Sequence, residues 1–204
     1  KFNADGVPQS SIVQLEAIGN PAGDDIFEQV SLVGSDGEFV VAFYGPDSSS
    51  FNDNSVFVQK FNADGTITGN MVQLEAINQT RSHDYSPKVT SVGSNGEYVV
   101  TFYGRDDSGN DHSIFVQKFN VDGSVQGPMV QLDAIGNTTG DDYKSEIASV
   151  GSNGEYVVTF YGVESEGDAS IFVQKFNADG TTQASMVKLE AIGSTLGSDY
   201  FICY

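Results

Sequence analysis

The chain has a single cysteine, Cys203, so no disulfide can form within it and no cysteine-based zinc site can be built. Basic residues are also scarce: Lys and Arg number 9 against 28 Asp and Glu, a net charge of −19. So little positive charge argues against nucleic acid and anionic membrane surfaces as partners, since both are held by Lys and Arg. No apolar run approaches the ~20 residues of a membrane-spanning helix. The only histidines, His83 and His112, sit at non-equivalent positions. No Gly-x-Ser-x-Gly elbow, His-Glu-x-x-His pair or phosphate-binding glycine loop is present. Paired carboxylates could in principle hydrolyse a glycoside. That chemistry needs two carboxyls in unlike environments, which near-identical repeats do not offer, so the chain is expected not to be an enzyme. An initiator Met and a leader are also missing, and Lys1 falls within a repeat. The chain therefore reads as a mature product or an excerpt from a longer array.

What is present is repetition. Lys-Phe-Asn-Ala-Asp-Gly begins at Lys1, Lys60 and Lys175, and with Val121 at Lys118, giving steps of 59, 58 and 57 residues. Val-Gln-Leu-Glu-Ala-Ile starts at Val13 and Val72, with variants at Val130 and Val187. Hydrophobic residues make up 39% of the chain, enough for a packed core. No segment has a 3.6-residue period. The clearest stretch, Ser94–Gly104, recurs at Ser152–Gly162 and more loosely at Ser35–Gly45. Tyr98, Val100 and Phe102 alternate with Val99, Thr101 and Tyr103, so this strand is apolar on both faces and should be covered on both.

Each repeat reads as four strands: A near Pro87–Val92, B over the stretch just described, C at Ser113–Phe119 and D at Met129–Ile135. Asn95-Gly96 and Asp122-Gly123 mark A–B and C–D as tight hairpins. The predicted fold is all-β: β-propeller-like tandem repeats of four-stranded antiparallel sheets, about 58 residues each, with a β-solenoid or stacked-sheet fibre as the alternative. Small residues in A suit the crowded inner strand of a blade, and the alternation in D suits an outer, half-exposed one. One repeat domain, 1–204, would hold full repeats at about 26–77, 85–135 and 143–192. Strands C and D of a partial repeat would lie at 1–18, and the start of a strand A at 199–204. Unfinished blades at the ends are sticky edges, so neighbouring repeats or self-association are expected partners.

The succession Asp-Tyr-Ser-Pro-Lys-Val, Gly-Glu-Tyr-Val-Val-Thr-Phe and Ile-Phe-Val-Gln-Lys-Phe-Asn-Ala-Asp-Gly-Thr, with its variants in the other copies, resembles tandem repeats of large secreted bacterial proteins of the RTX, calcium-binding and adhesin-like type. The resemblance implies an extracellular or cell-surface setting and calcium dependence. The Gly-Gly-x-Gly-x-Asp nonapeptide of RTX β-rolls is absent, so that mode of calcium binding does not carry over.

The B–C and D–A links should share one face of the domain, and they are acidic. Asp25, Asp84, Asp142 and Asp199 are equivalent D–A positions, and Asp106, Asp107 and Asp111 fill the second B–C link. Carboxylates among Asn, Ser and carbonyls suit Ca²⁺. The same residues also cap turns and bond backbone amides. Tyr44, Tyr103 and Tyr161 close strand B nearby, while Tyr85, Tyr143 and Tyr200 open strand A. They could stack on sugars or pack between blades. The leading expectation is a non-enzymatic extracellular structural or adhesive module with Ca²⁺ as its cofactor. The alternative is a multivalent carbohydrate-binding protein, gaining avidity from equivalent shallow sites.

Overall fold

The computed structural model describes residues 5–8, 11–18, 24–48, 53–77, 82–106, 111–164 and 167–189. These hold strands β1 (Ile26–Val33), β2 (Glu38–Pro46), β3 (Asn54–Phe61), β4 (Ile67–Leu74), β5 (Asp84–Val92), β6 (Glu97–Arg105), β7 (His112–Phe119), β8 (Val125–Leu132), β9 (Asp142–Val150), β10 (Glu155–Val163), β11 (Ala169–Phe176) and β12 (Thr182–Leu189). They pair in chain order as three four-stranded antiparallel sheets, β1 to β4, β5 to β8 and β9 to β12. The protein is all-β as expected, with one sheet per repeat. Among the described residues no helix is long and apolar enough to cross a membrane.

The hairpins follow from local chemistry. Gly96, at φ +90°, supplies the left-handed residue of the A–B turn that its Asn95-Gly96 pair announces. In the C–D turn, the Asp122 carboxylate accepts the Ser124 amide at 2.9 Å and its hydroxyl at 2.5 Å. Asp64 and Asp179 do the same for Thr66 and Thr181. These Asp-Gly turns are structural.

Strand D starts and ends earlier than predicted, at Val125–Leu132 instead of Met129–Ile135. The pairing with β7 shifts register between Val116 and Lys118, where Gly127 takes φ +67°. This is a β-bulge, and a glycine that reads as a turn is its left-handed residue. Gln117 holds the bulge open by donating from Nε2 to the Gln126 and Gly127 carbonyls; Gln59 and Gln174 act alike on β4 and β12. Strand A likewise begins three residues early, at Asp84, with a bulge between Tyr85 and Lys88.

The sheets pack face to face. The front of the first, with Val40, Ala42, Tyr44, Val56, Val58 and Leu74, meets the back of the second, with Tyr98, Val100, Phe102, Phe115 and Phe119. The front of the second, with Val99, Ile114, Val116 and Leu132, meets the back of the third, with Tyr156, Val158, Phe160, Phe172 and Phe176. β6 is therefore covered on both faces, as its sequence demands. Each buried aromatic contributes roughly 2 to 3 kcal/mol of transfer free energy.

Polar contacts repeat with the same period. Lys60 bridges Glu38 (2.9 Å) and the Val121 carbonyl in the next sheet's C–D turn (2.7 Å). Lys118 bridges Glu97 (3.2 Å) and the Ala178 carbonyl. The A strands of adjacent sheets lie side by side, joined by the Ser91 amide to Ser31 Oγ at 3.3 Å and Lys88 to Glu146 at 3.0 Å. Among residues 5–8 and 11–18 there is an isolated bridge at Pro8 and no strand; the strand C expected in this partial repeat falls outside the described residues. Leu15 and Ala17 nevertheless lie on Phe43 and Phe57, against the back of the first sheet. The partial strand expected at 199–204 lies outside the described residues.

Candidate functional site

The D–A aspartates occupy one recurring arrangement. Strand D ends in Leu-x-Ala, and the Ala amide donates to an Asp carboxylate eight residues on: Ala17 to Asp25 Oδ2 at 3.3 Å, Ala76 to Asp84 Oδ2 at 3.1 Å and Ala134 to Asp142 Oδ2 at 3.0 Å. The other oxygen, Oδ1, lies over the glycine that ends strand B. A Cβ on Gly45, Gly104 or Gly162 would collide with Asp25, Asp84 or Asp142 Oδ1, and on Gly104 it would also stand 3.0 Å from Ala76 Cβ. The closing Gly of the repeated stretch is thus fixed by the carboxyl that sits on it. Asp84 and Asp142 are fully buried, and none of these three Oδ1 atoms has a hydrogen-bond donor. Burial raises the pKa of all three. The Ala amide opposes the shift, while nearby carboxylates add to it: Glu75 for Asp84, and Asp133, Asp111 and Asp141 for Asp142. Asp142 reaches about 8 and Asp84 lies well above the ordinary range. A neutral carboxyl is the form such a site holds.

Beside each junction the B–C link meets the end of strand D. In the second repeat Asp106 Oδ2 accepts from Ser113 Oγ (3.0 Å) and Gln131 Nε2 (2.8 Å), and Ser113 also contacts Asp133 Oδ1 at 2.6 Å. Ser113 Oγ also accepts from Gln131 Nε2 at 3.1 Å, so one serine and one glutamine hold the two carboxylates together. The first repeat repeats the pattern with Asp47, Ser55, Gln73 and Glu75. In the third, Lys188 replaces the glutamine and pairs with Glu164 at 2.6 Å, so that cluster carries its own cation. Asp111 is buried with Oδ1 unpartnered; burial raises its pKa, with Asp106 adding to the shift. Among the described residues no three His, Cys, Asp or Glu side chains converge to hold a metal ion. Asp107 and Asp199 lie outside the described residues.

The candidate tyrosines form a ladder across the sheets. Phe27 stacks on Tyr44 (5.6 Å), Tyr44 meets Tyr85 edge-on (5.5 Å), Tyr85 lies 5.4 Å from Tyr103, and Tyr103 meets Tyr143 edge-on (5.2 Å). Tyr44 and Tyr85 pack against the first core cluster. Tyr103, Tyr143 and Tyr161 instead line a cavity of about 570 Å³, together with Phe27, Lys88 and Glu146. Three of its lining residues, Phe27, Ser86 and Lys144, hold φ of 54°, 50° and 53° at equivalent positions of the strand A bulges. Left-handed backbone at non-glycine residues costs roughly 1 to 3 kcal/mol, and it recurs here at the mouth of the cavity.

Several participants escape a reading by residue type. Glu75, Gln73, Asp133 and Gln131 look like the polar side of a half-exposed strand, yet they turn into the carboxyl clusters; their constancy in the Val-Gln-Leu-Glu-Ala motif is the signal that could have found them. His112, set aside as unrepeated, bonds Asp141 at 2.9 Å and packs on Tyr103 and Tyr143. Tyr200 lies outside the described residues.

No family model and no curated protein matches the chain. Among solved structures, a "Hypothetical protein from leishmania major" is similar over 85% of this chain and 71% of its own, at 9% identity and a TM-score of 0.27. So distant a likeness carries no argument about fold or function.

Proposed function

We propose that the chain is a non-enzymatic structural module, a series of propeller-like blades working outside the cell or on its surface. One observation carries the reading: the residues best suited to bind something are spent on joining sheets. Asp84 and Asp142 each tie strand D to the next strand A and sit on the closing glycine, and Tyr44 and Tyr85 fill the sheet-to-sheet ladder. Side-by-side A strands, with D strands at the opposite margin of each sheet, favour blades about an axis over a flat stacked fibre. The acidic composition and the repeat resemblance support the extracellular setting. Calcium enters this reading at the Asp106–Asp111 link, where Asp111 Oδ1 and Asp133 offer hard oxygen ligands.

A second reading, carbohydrate binding, is favoured by the cavity, whose Tyr103, Tyr143 and Tyr161 rings and Lys88–Glu146 pair offer stacking faces beside polar groups.

Calorimetry in EGTA and in millimolar Ca²⁺, followed by a glycan array, tests both. The structural reading expects a melting point raised by Ca²⁺ and not by Mg²⁺, by roughly 2.7 kcal/mol of stabilisation at a hundred times Kd, and no glycan bound. No shift removes calcium from the proposal. Saturable glycan binding that survives EGTA and is lost in Tyr103→Ala replaces the first reading with the second. Turnover of a glycoside overturns both.

A further inference from the structure

Carboxylates are abundant in this chain, at 28 Asp and Glu against 9 Lys and Arg, so a lysine has little difficulty finding one. Among the described residues Lys60 pairs with Glu38, Lys88 with Glu146, Lys118 with Glu97, Lys175 with Glu155 and Lys188 with Glu164. Lys144 is the other described lysine, and no described carboxylate lies within ion-pair distance of it. Its side chain belongs instead to the wall of the 570 Å³ cavity.

The backbone points the same way. Lys144 holds φ 53°, as Phe27 and Ser86 hold 54° and 50° at the equivalent positions, and all three line the cavity. Glycine would adopt this conformation without steric cost. The bulge in strand D shows the contrast: its left-handed residue is Gly69, Gly127 or Ala184, glycine in two sheets of the three. At the strand A bulge it is glycine in none, and each side chain that the strained backbone presents reaches the cavity.

The remaining wall suits a ring-shaped ligand. Tyr103, Tyr143 and Tyr161 are half-buried there, in contrast to the fully buried Tyr98 and Tyr156 of the core. The volume lies within the roughly 300–1,000 Å³ of small-molecule sites, which combine aromatic walls with a few polar groups. Glu146 is the single carboxylate of the lining, and Lys88 neutralises it at 3.0 Å. Lys144 is therefore the uncompensated charge of the wall.

We infer that the cavity takes a saccharide carrying a single negative charge, a uronate or a sulfate ester, with its ring on the tyrosines and its anion on Lys144 Nζ. The inference rests on the carbohydrate reading of this cavity and narrows its ligand. One unpaired ammonium matches one negative charge, and a compact lysine head group accepts carboxylate and sulfate alike. A doubly charged phosphate monoester would leave one charge unmatched beside Glu146. All three repeats build the cavity, so the site is one per chain.

Calorimetric titration of the full chain tests this at physiological salt, where distant carboxylates are screened. The probes are matched disaccharides of the gluco, galacto and manno series: the neutral parent, the same sugar oxidised to a uronate, and the same sugar with a 6-sulfate ester. One site per chain is expected, with a Kd about tenfold lower for an anionic member than for its neutral parent. Comparing uronate with sulfate ester identifies the anion. Lys144→Met should abolish the preference and leave the neutral parent's affinity unchanged. Lys144→Gly should do the same with a melting point at or above that of the wild type, because glycine accepts the left-handed backbone. Glu146→Gln releases Lys88 and should tighten the anionic member further. Equal affinity for anionic and neutral members, or a preference that survives Lys144→Met, overturns the inference while the carbohydrate reading stands. Binding of no member overturns both.

Discussion

Replacing Asp142 by Asn should remove the pH dependence that this residue imposes on the fold. Asp142 titrates near pH 8 in the folded protein against an ordinary 3.8, because burial penalises its charge and Asp133, Asp111 and Asp141 repel it, while the Ala134 amide only partly offsets them. A raised carboxyl pKa means that folding takes up a proton between those two values. The stability contributed is therefore complete below about pH 3.8 and falls by ~1.4 kcal/mol per pH unit until the folded group ionises near 8. By pH 7 the loss is about 4 kcal/mol, a large part of a typical domain's stability. Asparagine is neutral throughout: its Oδ1 can keep the Ala134 bond, and its amide can donate toward the carboxylates that raise the aspartate. The difference between variant and wild type should then move in the variant's favour by ~1.4 kcal/mol per unit from pH 5 to 8 and level off above. Urea denaturation at fixed salt and in EGTA measures it, and taking the difference cancels the general self-repulsion of a chain of net charge −19. A flat difference, or one moving against the variant, would refute a neutral buried carboxyl at this junction.

Other perturbations discriminate among the same contacts. Gly104→Ala forces a methyl against Asp84 Oδ1 and Ala76 and should cost roughly 3 kcal/mol in denaturant unfolding, whereas an unchanged midpoint would deny the close approach. Lys118→Met strands Glu97 and the Ala178 carbonyl and should cost roughly 2 kcal/mol. Lys175→Met, at the more exposed third position, should cost less than about 1 kcal/mol, and equal losses would mean that the turn contact adds nothing. Hydrogen exchange at low concentration should be slowest in β6 and β7, covered on both faces, and faster in β1 and β12; uniform protection would contradict nearest-neighbour stabilisation.

How much of this was legible depended on whether the cause was local. The strands B and C, apolar on both faces, their hairpin glycines and the repeat step follow from period and turn chemistry, which neighbouring residues determine. Strand D was misplaced because Gly127-Pro128 reads as a breaker when nothing in the sequence says that Gln117, on another strand, will hold a bulge open. The D–A aspartates stand out by their recurring position, but what they do depends on an oxygen lying over Gly104 or Gly162, a contact made only when three strands meet. Lys60 and Lys118 were hidden for a similar reason. A lysine in an apolar strand looks like an exposed interruption until the next sheet's turn supplies its carbonyl.

The repeats differ where packing does not constrain them, and that pattern separates the module's joints from its variable surface. β6 and β10 are identical from Glu to Gly, and β7 and β11 share Ser-Ile-Phe-Val-Gln-Lys-Phe. β6 and β7 meet a neighbouring sheet on each face, and β10 and β11 meet one on their back, so a change there would have to be accommodated across a junction. Strand A has no such duty over its first half. Phe27, Ser86 and Lys144 occupy one position, and Gln29, Lys88 and Glu146 another, and all six line the cavity. Residues of three different characters at one structural position give each repeat a different contribution to a shared wall, which equivalent, independent sites would not require. If a ligand enters this protein, the cavity therefore presents one composite site for the three repeats together. A glycan, should one bind, would be expected at a stoichiometry of one per chain, against the several shallow sites that the repeat pattern suggested.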